Sequence, residues 1–138
     1  MRPMKNLSPT QAWQLLQSPK PPPALSPLLL DVRMEIESMY VGRPPGAVNV
    51  PWYEYPELTP QPEAFVEQVK REAGSLDRPL ILICRSGIRS VDAGRALEAA
   101  GFTDVAHVDT GFEGELDAQF HRSTRSGWRF EGLPWEQL

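Results

Sequence analysis

The runs LLLDV (residues 28–32) and PLILIC (residues 79–84) are apolar without alternation. A strand with one wet face alternates polar and apolar residues, whereas a strand covered on both faces does not. Two such runs demand covering layers above and below them. The neighbouring sequence supplies helices for this. In LSPTQAWQLLQS, Ser8 is a good N-cap and Pro9 fits the first helical position. Ala12, Leu15 and Leu16 recur there at helical spacing, with Trp13 alongside. In QPEAFVEQVKREAG, Phe65, Val69 and Ala73 share a face, and Gly74 is a C-terminal stop. In RSVDAGRALEAAG, Ala93, Ala96, Leu97 and Ala100 lie on one side and Gly101 closes the run. DVAHVD reads as a further strand, and residues 47–50 as a brief one. Strands alternating with helices predict an α/β fold, with a central parallel sheet of about four to five strands flanked by helices on both faces.

A chain of 138 residues suits one domain, with its core over residues 7–114 and an irregular, glycine-rich extension over 115–138. Trp128 and Trp135 predict that this extension folds back onto the body. SPKPPPALSP (residues 18–27) cannot continue the first helix, because proline lacks the donor and clashes with the preceding turn. A net charge of -4 argues against a general nucleic-acid surface. No apolar run reaches the length of about 18 residues that spans a bilayer, so no membrane contact is expected. The N-terminal stretch lacks the apolar centre of a secretory signal. A single cysteine excludes an internal disulfide, and a free thiol suits a reducing, cytoplasmic setting.

That cysteine, Cys84, ends the second apolar run and is followed by Arg85, Ser86, Gly87, Ile88, Arg89 and Ser90. In a parallel sheet, ligands bind beyond the carboxyl ends of the strands. A helix starting directly afterwards offers unpaired N–H groups and a positive pole. Helix N-termini and neighbouring arginines favour the thiolate, the nucleophilic form of cysteine. Gly87 permits the positive φ that turns backbone N–H groups towards one point, making an anion nest. Arg89, where the loop enters the helix, is the better placed of the two arginines for direct ligand contact. Arg85 is equally suited to pairing with a carboxylate and bracing the loop. A cysteine at a strand end is otherwise a small, inert core residue. Two arginines, a glycine and a helix start within the following residues speak for the reactive reading.

With these residues in view, the sequence resembles the rhodanese-homology domain in its single-domain form. CRSGIR fits the family loop Cys-Arg-x-Gly-x-Arg/Thr at every fixed position. LLLDVR is similar to the first core strand of the family. GRPPGAVNVPW is similar to its Gly-His-Ile-Pro-Gly-Ala segment, with Arg43 and Pro44 where His and Ile are common. RALEAAGFTDVAHVDTG resembles the helix and strand after the loop. The likeness runs over residues 7–114. It departs at DTGFEGE, where one glycine rather than two precedes Phe112, and in the tail over residues 120–138.

The resemblance implies sulfur transfer. Cys84 would take a sulfane sulfur from a donor such as thiosulfate, hold it as a persulfide cradled by N–H groups from Arg85 to Ser90, and pass it to a thiol or to cyanide. A persulfide-carrying protein is a further conceivable partner. No metal or organic cofactor is implied, and His107 and His121 have no metal-ligand partners at useful spacing. Asp31 and Arg33, ending the first core strand, are expected to support the site, with Asp31 bracing Arg33 or the loop, and with a surface ion pair worth little as the equal alternative for Arg33. Trp52, Tyr53 and Tyr55 are expected to pack, with a place in the pocket wall as the alternative. Glu113 and Glu115 read as solvated loop charges. Two rivals remain. One is a non-catalytic rhodanese-like binding or regulatory module. The other is a phosphatase or arsenate reductase, whose loop sets five residues between Cys and Arg; that arginine position is Ser90 here.

Overall fold

Five parallel strands form one sheet in the order β1-β5-β4-β2-β3, in a computed structural model that describes residues 4–18, 20–21 and 24–138. The strands are β1 (Lys5–Leu7), β2 (Leu28–Asp31), β3 (Val48–Asn49), β4 (Leu80–Ile83) and β5 (Val105–Val108). The helices are α1 (Pro9–Gln17), α2 (Pro62–Ala73) and α3 (Arg89–Ala99), with a short π-helical turn over Glu37–Val41. Pro19, Pro22 and Pro23 of the proline connector lie outside the described residues.

The two apolar runs are the central strands. β2 pairs with β4 from Leu28↔Leu80 to Asp31↔Ile83, and both are buried throughout. Alternate residues feed opposite layers. Leu28, Leu30, Leu80 and Leu82 join Phe65, Val69 and Ala73 of α2 and Ala93 and Leu97 of α3. Leu29, Ile81 and Ile83 join Ala12 of α1 together with Phe112 and Trp128. Each fully covered Leu or Ile contributes about 1.5–3 kcal/mol relative to exposure. The helices thus flank both faces, and the C-terminal extension completes the layer begun by α1.

Local chemistry sets the helix ends. Ser8 and Gln11 form a reciprocal capping box on α1, satisfying two otherwise unpaired donors. Gly74 stops α2 in the left-handed conformation, at φ 77. Two elements were not anticipated. β1 reads KNL, three residues on the sheet edge with only Leu7 turned inward, too short and polar to signal a strand. The π-helical turn has no apolar period of its own and is fixed by contacts to other segments. The extension is ordered by Trp128, fully buried, whose indole N–H donates to the Pro134 carbonyl at 2.7 Å and whose ring meets Trp13 edge-on at 5.8 Å. Among the described residues, no helix is long and apolar enough to cross a membrane.

Candidate active site

Cys84 follows β4 directly, at the carboxyl end of the sheet, and the loop over residues 85–88 leads into α3. Its Sγ accepts a hydrogen bond from the Gly87 N–H at 3.1 Å. Gly87 has φ 97, and its backbone lies so close to β5 that a Cβ would stand 2.0 Å from the Asp109 carbonyl oxygen. Only glycine allows both the turn and this approach. Ile88, the N-cap of α3, makes no side-chain cap, so among the described residues no cap side chain satisfies the first-turn donors of the helix. Cys84 itself is 1% exposed, while Ile88 is 73% exposed and Arg85 is also at the surface. The thiol therefore lies beneath its loop, facing the Gly87 N–H rather than bulk water.

The loop is clamped from behind. Phe112 N–H donates to the Cys84 carbonyl at 2.8 Å, and Glu113 and Gly114 N–H groups donate to the Arg85 carbonyl at 2.9 and 3.2 Å. Gly111 allows that contact, since a Cβ there would lie 2.5 Å from the Arg85 carbonyl carbon. The extension grips the same strip in turn, with Trp128 N–H on the Gly111 carbonyl at 2.9 Å and Ser123 N–H on the Glu113 carbonyl at 2.7 Å. A single glycine ahead of Phe112 thus suffices to seat the loop.

Of the two arginines, it is Arg89 that the structure ties to a carboxylate. Its guanidinium meets both oxygens of Glu37, from the π-helical turn, and lies over the Tyr53 ring at 5.4 Å. Burial by itself disfavours the charge on Glu37. The hydrogen bond and charge of Arg89, with help from the Met34 N–H and Arg33, outweigh it and hold the carboxyl below its ordinary value. Burial likewise works against the Arg89 cation, and Glu37 reverses the balance, raising its pKa. Glu37 carried no signal in the sequence beyond being one acid among many. A cation at the mouth asks for a counter-charge without saying which.

Asp31 and Arg33 form a fully buried fork, Nε to Oδ1 at 2.8 Å and Nη2 to Oδ2 at 2.6 Å. Nη2 also donates to the Gly42 carbonyl at 2.7 Å, and the guanidinium lies over Phe112 at 4.7 Å. The pair therefore braces the back of the site through Phe112. Asn49 ties the same bend by donating to the carbonyls of Asp31 and Arg33 at 2.9 and 3.0 Å. Trp52 packs edge-on against Phe65 in the core, whereas Tyr55 stands exposed. Glu113 departs from the solvated charge expected of it. It is largely covered and lies 3.6 Å from Arg129, which also faces Phe112. Glu115 is exposed beside Arg125.

Ser90, fully buried at the start of α3, has its Oγ 3.5 Å from Cys84 Sγ and 2.8 Å from Nδ1 of His107. The other ring nitrogen of His107 lies 2.7 Å from Asn6 Oδ1. His107 and Asn6 were missed as site neighbours. The one usable signal was a histidine on the inward face of an otherwise apolar strand, VAHV.

The chain matches the Rhodanese-like domain family over residues 8–117. It is 35% identical over 107 residues to Thiosulfate sulfurtransferase 16, chloroplastic, of Arabidopsis thaliana, a match covering 76% of each chain. It is 31% identical over 87 residues to Thiosulfate sulfurtransferase/rhodanese-like domain-containing protein 3 of Mus musculus, covering 62% of this chain and 55% of that one. The chain thus spans about half the length of that relative. The crystal structure of Rv0390 from M. tuberculosis is similar with a TM-score of 0.80 at 36% identity, covering 97% of this chain and 98% of that one. That coverage takes in the C-terminal extension.

Proposed function

The chain belongs to the rhodanese-like family, and on that premise we propose that it is a sulfurtransferase working through a persulfide on Cys84. The thiolate attacks the outer sulfur of a donor such as thiosulfate; the new S–S bond forms as the donor's own S–S bond breaks, and sulfite departs with the electron pair. A thiol or cyanide then takes the outer sulfur, and Cys84 leaves as thiolate. Splitting the transfer in this way gives ping-pong kinetics. N–H groups of Arg85 to Ser90 receive the negative charge, fixed beforehand so that little reorganisation accompanies reaction. Asp31 and Arg33 support the loop from behind.

The observation that carries this reading is the Gly87 N–H aimed at Cys84 Sγ at 3.1 Å, beyond the carboxyl end of β4. One specific feature favours a second reading, a non-catalytic binding module: the near-complete cover over the thiol. Intact-mass measurement after thiosulfate treatment and desalting separates the two. A gain of one sulfur atom that is absent in Cys84→Ala is expected. No gain with thiosulfate or with a small organic persulfide would overturn the enzyme in favour of the module.

A further inference from the structure

A thiol beneath its loop has little water at hand to take its proton, yet it must lose that proton to attack. The hydrogen bonds around Ser90 offer a way out. Asn6 Oδ1 is an acceptor, so it takes the Nε2 proton of His107 and leaves Nδ1 bare. The Ser90 hydroxyl donates to that bare nitrogen at 2.8 Å, and its lone pairs face Cys84 Sγ at 3.5 Å. Every bond then runs in one direction, from the covered thiol through Ser90 and His107 to Asn6, which is exposed on β1.

We propose that Ser90 and His107 form a proton relay that ionises Cys84 by carrying its proton away from the covered site towards the β1 edge of the sheet. The proposal rests on the sulfurtransferase reading for its use and on the geometry alone for its existence. In the step itself, the Cys84 S–H bond breaks and that proton bonds to Ser90 Oγ. The proton formerly on Ser90 moves to His107 Nδ1. Sγ keeps the electron pair as thiolate, and the ring becomes imidazolium; nothing is oxidised or reduced. When an acceptor later removes the outer sulfur, Sγ departs with its bonding pair and the proton returns by the same path.

The surroundings of His107 suit the task. Burial lowers its pKa, with the Asp109 charge opposing, so its surroundings favour the neutral ring from which the relay starts. The elements packed against it present Asn6 from β1, Leu82 from β4 and Ser90 from α3. Asp109 is the charged group acting on it. Ser90 touches the reacting sulfur; His107 acts through Ser90 and is a positioning residue.

The pH profile of Cys84 alkylation by iodoacetamide tests the relay. Ser90→Ala and His107→Gln, the second keeping a hydrogen-bonding side chain, should each slow alkylation roughly tenfold at neutral pH and move the profile upward. A purely structural role would leave the His107→Gln profile in place, and wild-type profiles in both variants would overturn the relay. If either variant fails to fold, the wild-type protein still decides. Capping Cys84 with a methylthio group should move the NMR titration of His107, and an unmoved titration would refute the coupling. Sulfur loading, read by mass, is independent of these outcomes. A protein that loads sulfur but ignores Ser90→Ala and His107→Gln refutes the relay alone. One that never loads sulfur yet shows the shifted profiles refutes only the transferase reading.

Discussion

Arg89 and Glu37 are joined at both ends of their charged groups, Nη1 to Oε1 at 2.7 Å and Nη2 to Oε2 at 2.9 Å. Planar two-point pairing of this kind is strong and directional. It also means that Arg89, the cation the sequence offers for direct ligand contact, already has a carboxylate partner. Glu37→Gln keeps one acceptor and removes the charge. The variant should bind thiosulfate more tightly, with KM lowered several-fold, kcat little changed and a steeper salt dependence. Steady-state kinetics at two ionic strengths checks this; an unchanged KM would detach Arg89 from donor binding.

The same pair predicts an acid limit. Glu37 is held below its usual value of 4.5, so the folded protein takes up this proton less readily than the unfolded chain. The stabilisation is complete above about pH 4.5 and fades as pH falls through the lowered value. Thermal melts of wild type and Glu37→Gln should differ by a constant amount above that pH and converge below it. Divergence on the acid side would contradict the assignment.

Gly111→Ala should leave the fold standing and the site impaired. Its Cβ would press on the Arg85 carbonyl at 2.5 Å, from a backbone with φ +70. Displacing the loop by about 1 Å costs on the order of a hundredfold in rate. Persulfide formation followed by mass in single turnover reads this directly, beside a circular dichroism spectrum close to wild type.

Removing Trp128 should be felt throughout the molecule. Trp128→Ala opens a cavity against Trp13 and Ala12 and is expected to cost about 3–5 kcal/mol in urea unfolding. Deletion from Gly127 onward should do no less. A truncated protein with wild-type stability would mean that the extension is an appendage.

Arg33→Met leaves the Asp31 carboxylate buried without its partner and should cost about 3–5 kcal/mol. Adding Asp31→Leu should recover much of that loss, since an apolar pair of similar volume is often as stable as a buried ion pair. Urea unfolding of the two single variants and the double variant gives the coupling.

The fold was legible where hydrophobic pattern and end signals agree. The β2 and β4 runs, the Ser8–Pro9 start of α1 and the Gly74 stop of α2 are all local statements about a few neighbouring residues. The candidate site was legible where its residues lie close in sequence: in the loop, with its cysteine and glycine, and in the Asp31–Arg33 pair two positions apart. What escaped notice is remote. Glu37 meets Arg89 across 52 positions and Asn6 meets His107 across 101. Such partners are chosen by the sheet order β1-β5-β4-β2-β3, which no local pattern contains. Glu113 escaped for a related reason: its cover comes from the extension, whose path is set by Trp128 and the glycines at 114 and 127, each pressed against backbone.

The strip over residues 111–114 gives the molecule a history as well as a shape. Synthesis proceeds from the N-terminus, so Cys84 leaves the ribosome before Phe112 and Gly114 are available to hold the carbonyls of Cys84 and Arg85. Through that interval the loop that carries Cys84 exists without its clamp. The loop over the thiol is clamped only when the distal segment arrives, so a stalled nascent chain would carry the nucleophile on an unclamped loop.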